Sequence, residues 1–343
     1  MVGALGCSAT GASSSGGGPG TGTLAVGTST VTALDPSMCG PASAVPTSHC
    51  YRISVTCPGI APMDALVKVS DPAGTAKGTI VFGSGGGGEP LYEQFGAEAV
   101  NGVLSPLLSQ GYRLVQRSWT AGSGWLTGPG GTLRLACRYA TLLDRIATDI
   151  HTGGAFCATG NSGGSAEVSY AMAHYGMGRL LDLAVPTSGP PMGRIDYGCL
   201  GTAQVPGWAT QCAALNVCGG TAACQYFVPP PGGAPGGGSA VIDGTYGGGT
   251  DCQTRNSARA QTWLGDSVAS ADAQLSYPQT AMRFIYGGSD CSEAVTLGRL
   301  YADAVKSDSA IVVVPGAPHA IPSDAAGAQA VFDALSSQCV PRH

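Results

Sequence analysis

Residues 155–174 read AFCATGNSGGSAEVSYAMAH. The apolar run Ala155-Phe156-Cys157-Ala158 has the length and composition of a buried strand. Gly160-Asn161-Ser162-Gly163-Gly164 then supplies G-x-S-x-G, and helix formers continue from Ser165 to His174. Strand, tight glycine turn and helix, in that order, are the context that a nucleophile elbow requires. The turn demands small residues, because its serine is held in a strained conformation with backbone close by. The helix that follows points its N-terminus at Ser162, so its free N–H groups favour a developing anion.

The same rhythm extends to both sides. Residues 51–55, 65–69, 79–82, 112–116, 181–185, 282–286 and 311–314 are further predicted strands. Residues 91–109 and 132–150 are predicted helices, the second from the period of Leu135, Leu142, Leu143, Ile146 and Ile150. Strand–helix alternation implies a mostly parallel sheet with helices on both faces. The alternation breaks between the strands near 185 and 282, a gap far beyond an ordinary connection. That gap holds Cys199, Cys212, Cys218, Cys224, Cys252 and the run Pro229–Gly238, and reads as a disulfide-pinned cap over residues 190–278. Residues 1–34 read as a Ser/Gly/Thr/Ala-rich leader and tether, and 35–343 as the globular domain.

A serine hydroxyl is unreactive near neutral pH without a base. Of five histidines, His49 precedes the sheet, His151 ends a helix and His343 ends the chain. His174 lies about 18 Å from Ser162 by helix rise. His319 follows the last strand, at the carboxyl edge where ligands gather in open α/β sheets. The base needs an orienting carboxylate. Asp290 sits just past the penultimate strand, whereas Asp303 and Asp324 lie in helical context.

The order Ser162, Asp290, His319 is that of the α/β-hydrolase superfamily, which the chain resembles over roughly residues 50–340. The resemblance implies an α/β-hydrolase fold, with Gly163 as one oxyanion donor and the second on the loop after strand 79–82. That loop is Gly83-Ser84-Gly85-Gly86-Gly87-Gly88-Glu89, where Gly85 is expected to donate, with Gly86 next. No Gly-Lys-Ser/Thr follows, so a phosphate-cradling loop is disfavoured. Gly160–Gly164 also resembles the GDSGG of trypsin-like proteases, but Asn161 replaces the Asp, a helical run follows, and no barrel rhythm of short strands is present. Trp119 and Trp125, just past strand 112–116, are candidate walls of the substrate site.

Composition narrows the class. Lys and Arg total 16 against 21 Asp and Glu, a net charge of −5, which disfavours a nucleic-acid binder. No apolar run reaches the length of a transmembrane helix. The 13 cysteines show no C-x-x-C pair and histidine is scarce, so disulfides and an oxidising compartment are expected rather than zinc sites. Setting Cys7 aside leaves twelve, enough for six bridges, with Cys291 to Cys339 one candidate pairing. Ala4-Leu5-Gly6-Cys7 resembles the end of a bacterial lipoprotein signal, so membrane attachment through a lipidated Cys7 is an expectation. The chain is thus expected to be a monomeric, secreted or envelope-anchored serine hydrolase of carboxylic esters, small or polymeric. It would need no cofactor or metal. A serine peptidase of aminopeptidase type on the same fold is the alternative, and a non-enzymatic envelope binding protein the third reading.

Overall fold

The structure is a computed structural model that describes residues 24–40, 45–215, 217–218, 224 and 237–343. Nine strands form one sheet: β1 (Thr28–Leu34), β2 (His49–Thr56), β3 (Met63–Ser70), β4 (Gly78–Gly83), β5 (Tyr112–Trp119), β6 (Ala155–Asn161), β7 (Leu183–Thr187), β8 (Ala281–Gly287) and β9 (Ser309–Val314). Their spatial order is β1-β2-β3-β5-β4-β6-β7-β8-β9. The β1-β2-β3-β5 pairings are antiparallel, and every pairing from β5-β4 to β8-β9 is parallel. β4 and β6 lie at the centre and are buried along their whole length, as strands of largely apolar and small residues covered on both faces are.

The helices are α1 (Ser105–Ser109), α2 (Thr132–Leu135), α3 (Cys137–Asp149), α4 (Gly163–Tyr175), α5 (Ile195–Gln204), α6 (Trp208–Leu215), α7 (Gly237–Thr245), α8 (Ala260–Gly265), α9 (Glu293–Ala304) and α10 (Ala325–Gln338). α3 and α4 cover one face through Leu142, Leu143, Ile146, Val168 and Met172. α10 and the segment 99–109 cover the other through Val103, Leu107, Val331 and Leu335. α5 to α8 all fall between β7 and β8.

Three expectations change. Thr28–Leu34, read as tether, is an edge strand paired antiparallel with β2, with Val31 opposite Ile53. Its β-branched Thr28, Thr30, Val31 and Thr32 fit a half-buried pleat even though the surrounding composition reads as linker. Leu24 N–H also donates to His174 O at 2.7 Å, so chain before residue 28 is docked as well. Residues 1–23, including Cys7, lie outside the described residues.

Residues 91–109 are not one helix. A 3-10 turn over Tyr92–Phe95 stops at Gly96 (φ 109°), and a π-helical turn, Ala99–Leu104, leads into α1. Gly96 permits the left-handed conformation that ends the first turn.

The disulfides are Cys39–Cys50, Cys57–Cys137, Cys157–Cys339, Cys199–Cys252, Cys212–Cys224 and Cys218–Cys291. Cys291 and Cys339 therefore do not pair with each other. α10 starts beyond the carboxyl edge of the sheet and returns along its face, so its last turn arrives beside the start of β6, where Cys157 waits. Cys291 stays at the opposite edge, within reach of Cys218. Six internal bridges are the usage of proteins that fold in an oxidising, extracytoplasmic setting. Among the described residues no helix is long and apolar enough to cross a membrane.

Candidate active site

Six loops at the carboxyl ends of the parallel strands meet at one cavity, those after β4, β5, β6, β7, β8 and β9. Ser162 closes β6 and precedes the first residue of α4, with φ 54° and ψ −115°. A non-glycine residue in that region is strained, and surrounding structure must hold it there. Ser162 N–H donates to Thr187 O on β7 at 2.9 Å, and Thr187 Oγ1 donates to Asn161 Oδ1 at 2.9 Å. The flanking glycines are obligatory on space alone. A Cβ on Gly160 would lie 2.4 Å from Gly164 C, one on Gly164 2.5 Å from Ser84 O, and one on Gly163 1.8 Å from Gly86 O.

The β4 loop therefore rests directly on the elbow. It turns at Gly85–Gly88, with Gly88 N–H donating to Gly85 O at 3.0 Å and Gly86 at φ 61°. Among the described residues the N–H groups of Gly86 and Gly163 donate to no protein acceptor. Gly86, Gly87, Ser162 and Gly163 all line the cavity. Gly85 does not; it sits behind Ser162, where a Cβ would lie 3.5 Å from the serine Cβ. Of the two glycines expected on this loop, Gly86 lines the cavity and Gly85 lies behind it.

Buried Arg117 braces this loop. Its guanidinium donates to Gly88 O at 2.9 Å, to Ser84 O at 3.3 Å, and to Glu167 Oε2 on α4. Trp119 Nε1 donates to Glu167 Oε1 at 2.6 Å. Burial pushes the Glu167 carboxyl upward, and the Arg117 charge and the Trp119 N–H oppose that shift. Trp119 is 1% exposed and Trp125 0%, the latter edge-on to Tyr170 in the core. Neither lines the cavity, which corrects their expected role as substrate walls. Both rings turn inward to the α4 face, because large aromatic area is buried there at the end of β5.

Asp290 and His319 come from neighbouring loops that are stitched together. Gly288 N–H donates to Val314 O at 2.7 Å, and Ser289 N–H to Ala317 O at 2.9 Å. Gly287 allows this approach, since a Cβ there would lie 2.4 Å from Ala317 O. His319 Nδ1 and Asp290 Oδ2 are 2.8 Å apart, with side-chain exposures of 41% and 1%. Ser292 N–H donates to Asp290 Oδ1 at 3.1 Å, and Ser292 Oγ lies 3.3 Å from His319 Nδ1. Burial alone would raise the Asp290 carboxyl; the hydrogen bonds from His319 and Ser292 outweigh it and hold it below its ordinary value. Of the competing carboxylates, Asp324 caps α10 through Gly327 N–H, and Asp303 lies on α9.

The cavity has a volume of about 550 Å³ and joins Ser162 and His319 in one space. Leu126, Pro191, Met192 and Val241 give it apolar walls, Val241 reaching in from α7. Two acidic lining residues were not singled out as site residues from sequence, Glu89 and Glu293. Both adjoin recognisable motifs, the glycine run and Asp290, and that adjacency is the signal that would have found them. Two aspartates of the inserted segment are used internally. Asp243 accepts from Cys252 N–H, and Asp251 pairs with Arg259 at 3.0 Å. A second cavity, of about 520 Å³, lies at the far end of α4 beside Tyr175 and Tyr277, away from this chemistry.

No protein-family profile matches the chain, and no curated protein does. Among solved structures it is similar to a protein of Agrobacterium vitis S4 named as a hydrolase, at 11% identity and TM-score 0.52, over 84% of this chain and 98% of that one. It is also similar to an esterase of Pyrobaculum calidifontis (14%, TM-score 0.49, 86% and 87%) and to a dienelactone hydrolase of Anabaena variabilis ATCC 29413 (12%, TM-score 0.44, 84% and 95%). At such identities the likeness concerns the fold: the chain has the α/β-hydrolase fold.

Proposed function

We propose that the protein is an extracytoplasmic serine hydrolase that cleaves carboxylic esters through an acyl-enzyme. The reading rests on one juxtaposition: an elbow serine, Ser162, shares a cavity with His319, whose Nδ1 lies 2.8 Å from the buried Asp290 carboxylate. In this reading Asp290 accepts a hydrogen bond from Nδ1–H, which leaves Nε2 as the base and stabilises the imidazolium once it forms. His319 Nε2 takes the Ser162 proton as Oγ attacks the ester carbon. The oxyanion then receives the N–H groups of Gly163 and Gly86, with the N-terminus of α4 behind them. The imidazolium protonates the departing alkoxide, and a water activated by the same histidine releases the acid. These side chains and N–H groups supply each step without a cofactor. The compartment reading, secreted or envelope-anchored through Cys7, accompanies the six bridges.

The test is hydrolysis of p-nitrophenyl esters from acetyl to dodecanoyl, with wild type beside Ser162→Ala, and labelling by a fluorophosphonate. The expected result is labelling at Ser162 and a loss of at least about a thousandfold in kcat in the variant. Turnover in Ser162→Ala within tenfold of wild type would remove the serine from the mechanism. Aminoacyl amides tested beside the esters separate the peptidase alternative.

A further inference from the structure

The cavity is lined by two carboxyl side chains, Glu89 and Glu293, and by no Lys or Arg among its described residues. Glu293 lines it, yet the residue is only 4% exposed, and its Oε2 has no hydrogen-bond partner. A buried carboxyl oxygen left without a partner costs free energy that an apolar residue of similar size would not, so its presence points to a group that arrives from outside. Burial raises the Glu293 carboxyl well above its ordinary value, and the nearby Asp290 charge adds to that. A cation held beside this carboxyl would favour its charged form, the form that burial disfavours.

Glu89 lines the same cavity, next to the β4 loop. Its Oε2 lies 3.8 Å from where a Cβ on Gly86 would be, and it makes no ion pair among the described residues. The guanidinium of Arg117, which braces the same loop, is already engaged by Glu167, Ser84 and Gly88. Two carboxyl side chains therefore line the cavity that holds Ser162 and His319, and Leu126, Met192 and Val241 are available for the hydrocarbon around a charged nitrogen.

We propose that Glu89 and Glu293 make the cavity selective for esters that carry a positively charged nitrogen a few bonds from the scissile carbonyl. The inference rests on the hydrolase reading for its catalysis but not for its binding, and the test separates the two. Calorimetric titration of Ser162→Ala uses two matched pairs. Acetylthiocholine is set against 3,3-dimethylbutyl thioacetate, a neutral isostere with the charge site on the alcohol side. Alanine benzyl ester is set against benzyl propionate, with the charge site on the acyl side. The expected result is at least about tenfold tighter binding of the cationic member of one pair, and the pair that responds shows which side of the ester bears the charge. That preference should fall toward unity when Glu89→Gln and Glu293→Gln are added, singly and together. Equal binding of both members in both pairs, or none to any of the four, overturns the inference. So does a preference that survives both glutamate substitutions. Cation-selective binding without ester hydrolysis by the native enzyme would sink the hydrolase reading alone. Hydrolysis of neutral esters without cation preference would sink this inference alone.

Discussion

Alanine at Gly163 tests the contact on which the site depends. An ideal Cβ there would fall 1.8 Å from the Gly86 carbonyl oxygen, and ordinary contact begins near 3.4 Å, so the β4 loop must retreat by about 1.6 Å. In the proposed mechanism that retreat carries the Gly86 N–H away from the oxyanion. A misplacement of about 1 Å can cost a hundredfold, and loss of one oxyanion donor costs on the order of 10²–10³ in kcat, about 2.7–4 kcal/mol. Gly163→Ala should therefore lower kcat by that factor while KM moves little, because ground-state binding to the cavity walls is retained. The neighbours calibrate the effect. A Cβ on Gly85 meets Ser162 Cβ at 3.5 Å, an ordinary contact, and Gly85 has no left-handed φ, so Gly85→Ala should stay within about tenfold of wild type. Gly86→Ala has room, with its closest contact at 3.8 Å, but sits at φ 61°. It should show an intermediate loss, from strain of about 1–2 kcal/mol in the loop. Steady-state and burst kinetics on one p-nitrophenyl ester read all three variants. A Gly163→Ala enzyme within tenfold of wild type would refute the reasoning. A Gly85→Ala enzyme as damaged as Gly163→Ala would assign the second donor to Gly85.

Three further outcomes are expected. Arg117→Met strips Gly88 O and Ser84 O of their donor and leaves Glu167 buried without its counter-charge, so urea unfolding should show a loss of about 3–5 kcal/mol; a loss below about 1 kcal/mol would mean that the brace is idle. His174, which donates from Nε2 to the Ser267 and Val268 carbonyls, is held by burial at about 4. The unfolded chain takes up that proton near pH 6.5, the native state only near pH 4, so His174 favours folding above pH 6.5. That contribution drains as pH falls toward 4, to a total of about 3 kcal/mol, and a pH series of unfolding midpoints should lose this slope in His174→Gln. Replacing Cys157 and Cys339 together by alanine opens a bridge with a sequence separation of 182, and calorimetric or chemical unfolding should register a loss of about 2–5 kcal/mol.

Much of the site was legible because its parts are local. G-x-S-x-G between an apolar strand and a helical run fixes an elbow wherever the sheet lies. Asp290 and His319 were found because each follows its own strand closely, and parallel strands deliver such residues to one edge. Position along the chain was enough for these residues, and no knowledge of side-chain packing was needed. The edge strand at 28–34 was missed for the converse reason. Its Ser/Thr/Gly/Ala composition carries little apolar signal of its own, and pairing with Ile53 and Val55 on β2 is what makes it a strand.

The chain's own order of apolar runs, glycine turns and helix formers determined the α/β alternation, the elbow and the sequence of Ser162, Asp290 and His319. Burial, register and the meeting of distant loops were left to the tertiary structure. It turned Trp119 and Trp125 into the core, paired Cys157 with Cys339 and Cys218 with Cys291, and brought Gly86 rather than Gly85 to the cavity. It also set Glu89 and Glu293 at one cavity, although some two hundred residues separate them. The physical reason is the range of the forces involved. Backbone preferences and hydrophobic periodicity act over a few residues and can be read in order. A carboxyl's neighbours, a disulfide's partner and the side to which a ring turns are settled only when remote segments compete for the same space.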